Sequence, residues 1–216
     1  MNIEHKIKTI FKRFYEIDPE PNRPPEKTRQ GSEYKSLVSV VLSAQTQDKR
    51  TALASKQLFN KIKTPQELLE LSHEELVELI RPVGMYNNKA KSIRKMAEYL
   101  ITNHEGKVPN TRAELMKIPG VGRKSTDIMM RFVFDSDAIA VDTHVRRICY
   151  RLGVSDKNEA NHIADILEKY TPQEYKWGAH EWLIEYGKQV CSSRKPKCSF
   201  CIFNDLCSKK GVINFQ

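Results

Sequence analysis

Three groups of residues in this 216-residue chain have types and spacings that could do chemistry. Four of the five cysteines, Cys191, Cys198, Cys201 and Cys207, fall near the end of the chain, separated by six, two and five residues. Four thiolates at such intervals can hold a zinc ion tetrahedrally or ligate a 4Fe-4S cluster. Zinc ribbons usually bring two CxxC pairs and this tail has one, at Cys198 and Cys201, so the spacing favours the cluster without deciding the metal. Arg194, Lys195 and Lys197 lie between the first two cysteines, where a bound metal would order a basic loop against a phosphate backbone. Cys149, inside the helical run 145–152, reads as a core residue, and an odd total with no apolar secretion signal argues against a disulfide framework.

The second group is LMKIPGVGRKSTDIMMR at 115–131. Pro119 ends one short helix, and Gly120 and Gly122 flank Val121 before another begins near Lys124. The glycines permit positive φ and close backbone approach, and the helix start offers unpaired N–H groups at the positive end of a dipole, which suits a phosphate. For a lone Gly-x-Gly, a tight corner with no ligand is usually the better account. Lys117, Arg123 and Lys124 around the turn shift the balance toward phosphate contact that positions DNA without reading its sequence. For Lys124 itself, the dipole and burial beside DNA would both disfavour the charged form, as Schiff-base chemistry requires. On pattern alone, however, a phosphate-binding lysine that stays charged is favoured.

The third group is IAVDTH at 139–144, followed by the basic amphipathic run VRRICYRLG. Asp142 is placed to cap a helix through the amide of His144 or Val145, a role worth about 1 kcal/mol. A carboxylate held rigid by that cap and facing Lys124 across a cleft could also stabilise positive charge on a sugar and manage a proton.

Helices must position these groups. Ile3, Ile7, Ile10, Phe11, Phe14 and Ile17 trace one apolar stripe. A Ser or Thr followed three residues later by Glu announces helix starts at Thr64, Ser72, Thr111 and Thr171. The pattern predicts an all-α chain with helices near 2–17, 32–44, 48–61, 65–71, 73–80, 88–104, 112–117, 124–134, 143–152, 157–170 and 173–190. Residues 18–31, with four prolines, and 134–140 read as linkers. Glu181 and Glu185, one helical turn apart, read as a solvated face.

Thirty-six Lys and Arg against 27 Asp and Glu leave a formal charge of +9, which favours a polyanionic partner. The longest apolar stretch, LVSVVLSA at 37–44, is far short of the roughly 20 residues of a membrane span. The N-terminus is charged throughout. A soluble, intracellular, cytoplasmic protein is expected, nucleoid-associated if prokaryotic, and 39% hydrophobic residues can supply a core, so global disorder is excluded.

Together, LSAQTQD at 42–48, GMYNNKA at 84–90, IPGVGRK at 118–124, AVDTH at 140–144 and the 6-2-5 cysteine spacing resemble the endonuclease III branch of the helix-hairpin-helix DNA glycosylases, in order and over nearly the whole chain. The resemblance implies two helical domains flanking a DNA-binding cleft. Residues 26–136 would form a six-helix domain carrying the hairpin. Residues 1–25 and 137–216 would form the cluster domain, and the cofactor would be a 4Fe-4S cluster on Cys191, Cys198, Cys201 and Cys207.

Lys124 then corresponds to the family's catalytic lysine, which attacks the sugar C1′, expels the damaged base and forms a Schiff base, with β-elimination cutting the strand 3′ to the lesion. Asp142 corresponds to the essential carboxylate. A lesion in the stack must first be extruded, and Gln45 and Met85 lie in the two loops that fill the gap. Gly120, Val121, Gly122, Arg123, His144, Lys195 and Lys197 complete the expected DNA contacts. Met85 stands where a leucine is common, which an apolar wedge tolerates. Ser125 and Asp127 replace the more usual Thr and Asn, and an added acid near the pocket is expected to alter lesion choice.

The expected enzyme is a monomeric glycosylase and AP lyase for oxidised or damaged pyrimidines in double-stranded DNA, acting also at abasic sites, with no membrane partner. Two alternatives are a mismatch glycosylase for T or U opposite G, against which Lys124 argues, and a non-catalytic iron-sulfur DNA-binding module, against which Lys124 and Asp142 both argue.

Overall fold

A computed structural model describes residues 2–21 and 32–216, so most of the expected proline-rich linker lies outside the described residues. Among those residues the chain is all-α, with no strand, and no helix is long and apolar enough to cross a membrane. Two compact units result, Pro24–Ser136 and Met1–Arg23 with Asp137–Gln216.

The first unit holds α2 (Glu33–Ser43), α3 (Asp48–Lys61), α4 (Pro65–Glu70), α5 (His73–Ile80), α6 (Tyr86–His104), α7 (Arg112–Leu115) and α8 (Arg123–Phe132). In α2, Tyr34, Leu37, Val38, Val41 and Leu42 are buried, the three-and-four spacing that lays one helix face on a core. That face packs on α3, α6 and α8. Leu58, Leu68, Leu76, Ile93, Leu100 and Met129 fill the same core. Burying each such side chain stabilises the fold by about 1.5–3 kcal/mol.

The caps explain where helices start. Ser72 and Glu75 form a full reciprocal box, Ser72 Oγ accepting from Glu75 N at 3.1 Å and Glu75 Oε2 from Ser72 N at 2.8 Å. Thr64 caps α4, but its Glu67 carboxylate accepts from Lys63 N instead. Thr111 caps α7 while Glu114 turns to Lys117. The box expected at Thr171 does not form. Thr171 closes the preceding helix through its N–H to Leu167, Pro172 takes the cap position of the next, and the Thr171 hydroxyl makes no hydrogen bond among the described residues.

The second unit holds α1 (Ile3–Ile17), α9 (Thr143–Leu152), α10 (Ala160–Tyr170), α11 (Gln173–Gln189) and one 3-10 turn (Cys198–Phe200). Residues 157–159, predicted as helix, stay outside α10 because the Ser155 hydroxyl donates to Lys157 O and accepts from Lys157 N. Ile7, Ile10, Phe11 and Phe14 of α1 meet Trp182 and Phe203 in an aromatic core, with Phe14 and Phe203 rings edge-on at 4.8 Å. Arg13 of α1 donates to both Asp205 oxygens, at 2.6 and 2.7 Å, and to Ile202 O at 2.6 Å, tying the helix to the cysteine-bearing tail.

One sequence expectation changes here. Glu181 is only 6% exposed while Glu185 is exposed, so the pair is not a solvated face. α11 packs on both α1 and α9, which encloses one side of the helix and leaves the other open. The 134–140 linker carries the boundary between the units at Ser136 and Asp137, as read, and its second half is anchored: Ala138, Ile139 and Ala140 are buried, and Ala140 O bonds His180 Nδ1 at 2.8 Å. Cys149 is fully buried in the apolar stripe of α9, as expected of a core residue, and burial pushes its thiol up.

Candidate functional site

The hairpin is built from α7, a turn and α8. Gly120 adopts φ 82°, and a Cβ there would stand 3.3 Å from Ser92, so positive φ and close approach to α6 are both required. Gly122 has ordinary extended backbone with open space where its Cβ would be. It caps α8 with no side-chain acceptor, so the first-turn N–H groups face no capping oxygen, an arrangement suited to an anion. Val121 between the glycines is 6% exposed and its side chain belongs to the core, which leaves its backbone for any contact with DNA.

The basic residues around the turn are not equivalent. Lys117 is paired with Glu114 at 2.6 Å, which raises the lysine and lowers the carboxyl. Arg123 Nε lies 3.5 Å from Asp127 Oδ2. Asp127 is 1% exposed and also accepts from Arg112 Nε at 3.0 Å. The added acid expected near a pocket is therefore a buried clamp between α7 and α8, because two guanidinium groups draw it inward. Lys124, the second residue of α8, is exposed, and no hydrogen bond or ion pair among the described residues engages its ammonium.

Two loops of the same unit carry Gln45 and Met85. Both are exposed, and both have left-handed backbone, φ 52° and 53°, which side-chain-bearing residues adopt at a cost. Met85, 52% exposed, is the N-cap residue of α6. Gly84 brings the loops into contact: a Cβ on it would lie 3.3 Å from Gln45 O, and its N–H donates to Thr46 Oγ1 at 3.2 Å.

Asp142 caps α9. Its Oδ1 accepts from both His144 N and Val145 N at 2.8 Å, so one oxygen does all the capping and Oδ2 stands outside it. His144 Nδ1 lies 3.1 Å from Arg147 Nη2, and Gly187 packs against its Cβ. Lys124 belongs to one unit and Asp142 to the other.

Cys191, Cys198, Cys201 and Cys207 are free thiols that line one cavity with Arg151 and Tyr186. Among the described residues no three His, Cys, Asp or Glu stand as a close single-ion group. The four cysteines nevertheless line the same cavity, which places four thiols around one space. Donors point at the sulfurs: Tyr186 OH to Cys201 at 3.4 Å, Arg151 Nη1 to Cys191 at 3.5 Å and the Lys209 N–H to Cys207 at 3.4 Å. Such hydrogen bonds suit metal-bound thiolates, and a positive group inside would offset the burial that pushes the Cys198 and Cys207 thiols up. The donor set therefore fits an iron-sulfur group.

Arg151 also donates to Ser192 O at 2.6 Å and Ser193 O at 2.8 Å, and Lys197 N to Val190 O at 2.9 Å, shaping a loop on which Arg194, Lys195 and Lys197 are exposed. Arg151 and Tyr186 were not singled out from sequence. The four-residue interval between Arg147 and Arg151, which puts both on one helix face, was the available signal: Arg147 donates to Cys191 O at 2.9 Å. A third missed residue is the buried Lys89 in the first turns of α6.

The profile of the HhH-GPD superfamily of base excision DNA repair proteins matches residues 38–173. Endonuclease III of Haemophilus influenzae is 36% identical over 215 residues, covering 100% of both chains. A solved non-covalent endonuclease III–DNA complex superposes with a TM-score of 0.85 at 34% identity and covers 97% of each chain. A trapped endonuclease III–DNA covalent intermediate, an estranged-adenine complex, matches with a TM-score of 0.85 at 33% identity, again over 97% of each chain.

Proposed function

Because this chain belongs to the endonuclease III branch of the HhH-GPD superfamily of base excision DNA repair proteins, we propose that it excises damaged pyrimidines from duplex DNA and cleaves the strand at the abasic sugar, with Lys124 as nucleophile and Asp142 as its carboxylate partner. The observation that carries this reading is the state of Lys124: among the basic residues of the hairpin turn, Lys117 and Arg123 are committed to acids, while the Lys124 ammonium is exposed and unengaged among the described residues.

Lys124 Nζ, once deprotonated, forms a bond to C1′ as the bond from C1′ to the base breaks and the base leaves with its electron pair. Opening of the sugar ring gives the Schiff base, and loss of a C2′ proton expels the 3′ phosphate. Asp142 stabilises positive charge developing on the sugar and takes up a proton, with Oδ2 for this work and Oδ1 locked in the cap. Gly120, Gly122 and the backbone of Val121 hold the phosphate chain at the uncapped start of α8, and Gln45 and Met85 fill the gap left by the extruded nucleotide.

Cys191, Cys198, Cys201 and Cys207 are proposed to hold a 4Fe-4S cluster, supported by their shared cavity and the donors aimed at their sulfurs. When bound, it cross-links the tail and fixes the loop that offers Lys195 and Lys197 to phosphates. We read residues 26–136 as the hairpin domain, six helices beside the one-turn α7, and 1–25 with 137–216 as the cluster domain, both carrying DNA contacts. The compact units of the described chain support that division.

Borohydride trapping on a duplex with one damaged pyrimidine tests the mechanism. A covalent adduct with the wild type and none with Lys124→Gln is expected, whereas unchanged strand cleavage by Lys124→Gln would overturn it.

A further inference from the structure

Lys89 is 5% exposed, yet its ammonium donates three hydrogen bonds, to Leu42 O, Ala44 O and Thr46 Oγ1, each at 2.7 Å. These use every N–H the group has. Leu42 and Ala44 stand at the C-terminal end of α2, where carbonyls lack helical partners and the negative end of the dipole attracts a cation. Burial lowers the Lys89 pKa, while these three acceptors hold the group in place. The Thr46 hydroxyl is equally saturated: it accepts from Lys89 and from Gly84 N at 3.2 Å, and donates to Ala44 O at 3.3 Å.

This network runs between the two left-handed positions of neighbouring loops. Gln45 lies between Ala44 and Thr46, and Met85 lies between Gly84 and the helix that carries Lys89. Left-handed backbone at non-glycine residues persists only where the surroundings hold it.

We propose that Lys89 is a positioning residue for lesion extrusion, pinning the 42–47 and 84–86 loops together so that Gln45 and Met85 are presented as one preformed wedge before DNA arrives. The proposal rests on the reading of Gln45 and Met85 as the gap-filling residues. A preformed wedge meets the duplex without having to order two loops during binding. The effect is on extrusion and not on the chemistry of Lys124, which sits on a different helix.

The test compares Lys89→Met, Thr46→Val, Gln45→Ala and Met85→Ala on two substrates, a duplex with 2-aminopurine beside one abasic site and a single strand with the same abasic site. Fluorescence of 2-aminopurine reports unstacking, and borohydride trapping reports Schiff-base formation. Lys89→Met is expected to trap the single strand at the wild-type rate while unstacking the duplex about tenfold more slowly or worse. Thr46→Val should show a smaller loss in the same direction, and it carries the test if removal of the buried cation alters the fold.

Wild-type unstacking by both Lys89→Met and Thr46→Val, with Gln45→Ala and Met85→Ala impaired, overturns the pin and leaves the wedge reading standing. Wild-type unstacking by Gln45→Ala and Met85→Ala overturns the wedge reading and the pin with it. Equal losses on the two substrates in folded Lys89→Met overturn the proposal too, since they mark a general defect.

Discussion

Arg112 and Asp127 are joined by two hydrogen-bonding approaches to a single carboxylate oxygen, Nε at 3.0 Å and Nη2 at 2.8 Å from Oδ1. Arg112 lies in the one-turn α7 and Asp127 in α8, so the contact ties the two helices of the hairpin together. Arg123 approaches the other oxygen, Oδ2, at 3.5 Å. The hairpin thus has a charged clamp in addition to its apolar contacts through Leu115, Ile118 and Val121.

Loss of that clamp is expected to be costly. Asp127→Ala leaves two guanidinium groups beside an emptied site, and removing one partner of a buried pair costs about 3–5 kcal/mol. The Arg112 side chain is 36% exposed, so solvent screening reduces the expected loss to about 2–3 kcal/mol. Asp127→Asn, which keeps an acceptor, should lose less and leave lesion preference unchanged. Urea unfolding and competition between two lesions measure both effects, and a loss below about 0.5 kcal/mol in Asp127→Ala would remove the clamp from the account.

Asp142 can be separated into its two roles. Asn caps a helix about as well as Asp, so Asp142→Asn should unfold within about 0.5 kcal/mol of the wild type, whereas Asp142→Ala should lose about 1 kcal/mol more. Base excision should fall strongly in both, because both lack the charge. Full excision activity in Asp142→Asn would show that the carboxylate serves the helix alone.

The Arg13 guanidinium holds the Asp205 carboxyl down to about 2, from an ordinary value of 3.8. Since the folded-state value is the lower one, the stability it contributes is present above about pH 4 and is lost as pH falls through about 2. The Tm difference between wild type and Arg13→Gln should therefore shrink over that interval. The pair is exposed, so the difference should also shrink in high salt. A difference constant with pH would mean that Arg13 acts only through its bond to Ile202 O.

Lys195 and Lys197 are expected to act as phosphate contacts without sequence preference. Replacing either by Ala should lower the slope of log affinity against log salt by about 1, equally for damaged and undamaged duplex. An unchanged slope would take the loop out of the DNA interface.

Metal should be part of the fold of the second unit. Purified protein is expected to contain iron and sulfide with broad visible absorbance, and their removal should lower Tm, because Phe203 and Leu206, between Cys201 and Cys207, pack into the core with Phe14 and Trp182. A colourless protein holding zinc, or one indifferent to metal removal, contradicts the cluster assignment.

Much of the fold was legible because its signals are local. The stripe of α1, the Ser72–Glu75 box and the Asp142 cap each depend on residues within a few positions of one another, and all three formed, the stripe from Ile7 to Phe14 with Ile17 at the helix end left 64% exposed. Thr171 failed as a cap for an equally local reason: the preceding helix had already claimed its N–H through Leu167 O. Glu181 was misread because charge alone suggests solvent, and only packing showed that it lies inside a helix interface; the two arginines around Asp127 were likewise visible only in the packed hairpin.

By itself, the sequence determined the chemistry on offer: a lysine after a glycine turn, an aspartate before a helix, four thiols at fixed intervals. Residue type and spacing set those, since side-chain chemistry and helix geometry need no distant partner. Tertiary structure decided which charges were left to act. It committed Lys117 to Glu114 and Arg123 to Asp127, left Lys124 exposed, and drew Lys89 across 40-odd residues of chain onto the end of α2. The physical reason is that pairing and burial depend on distances through space, and an ammonium finds its acceptors only after the helices carrying them have packed.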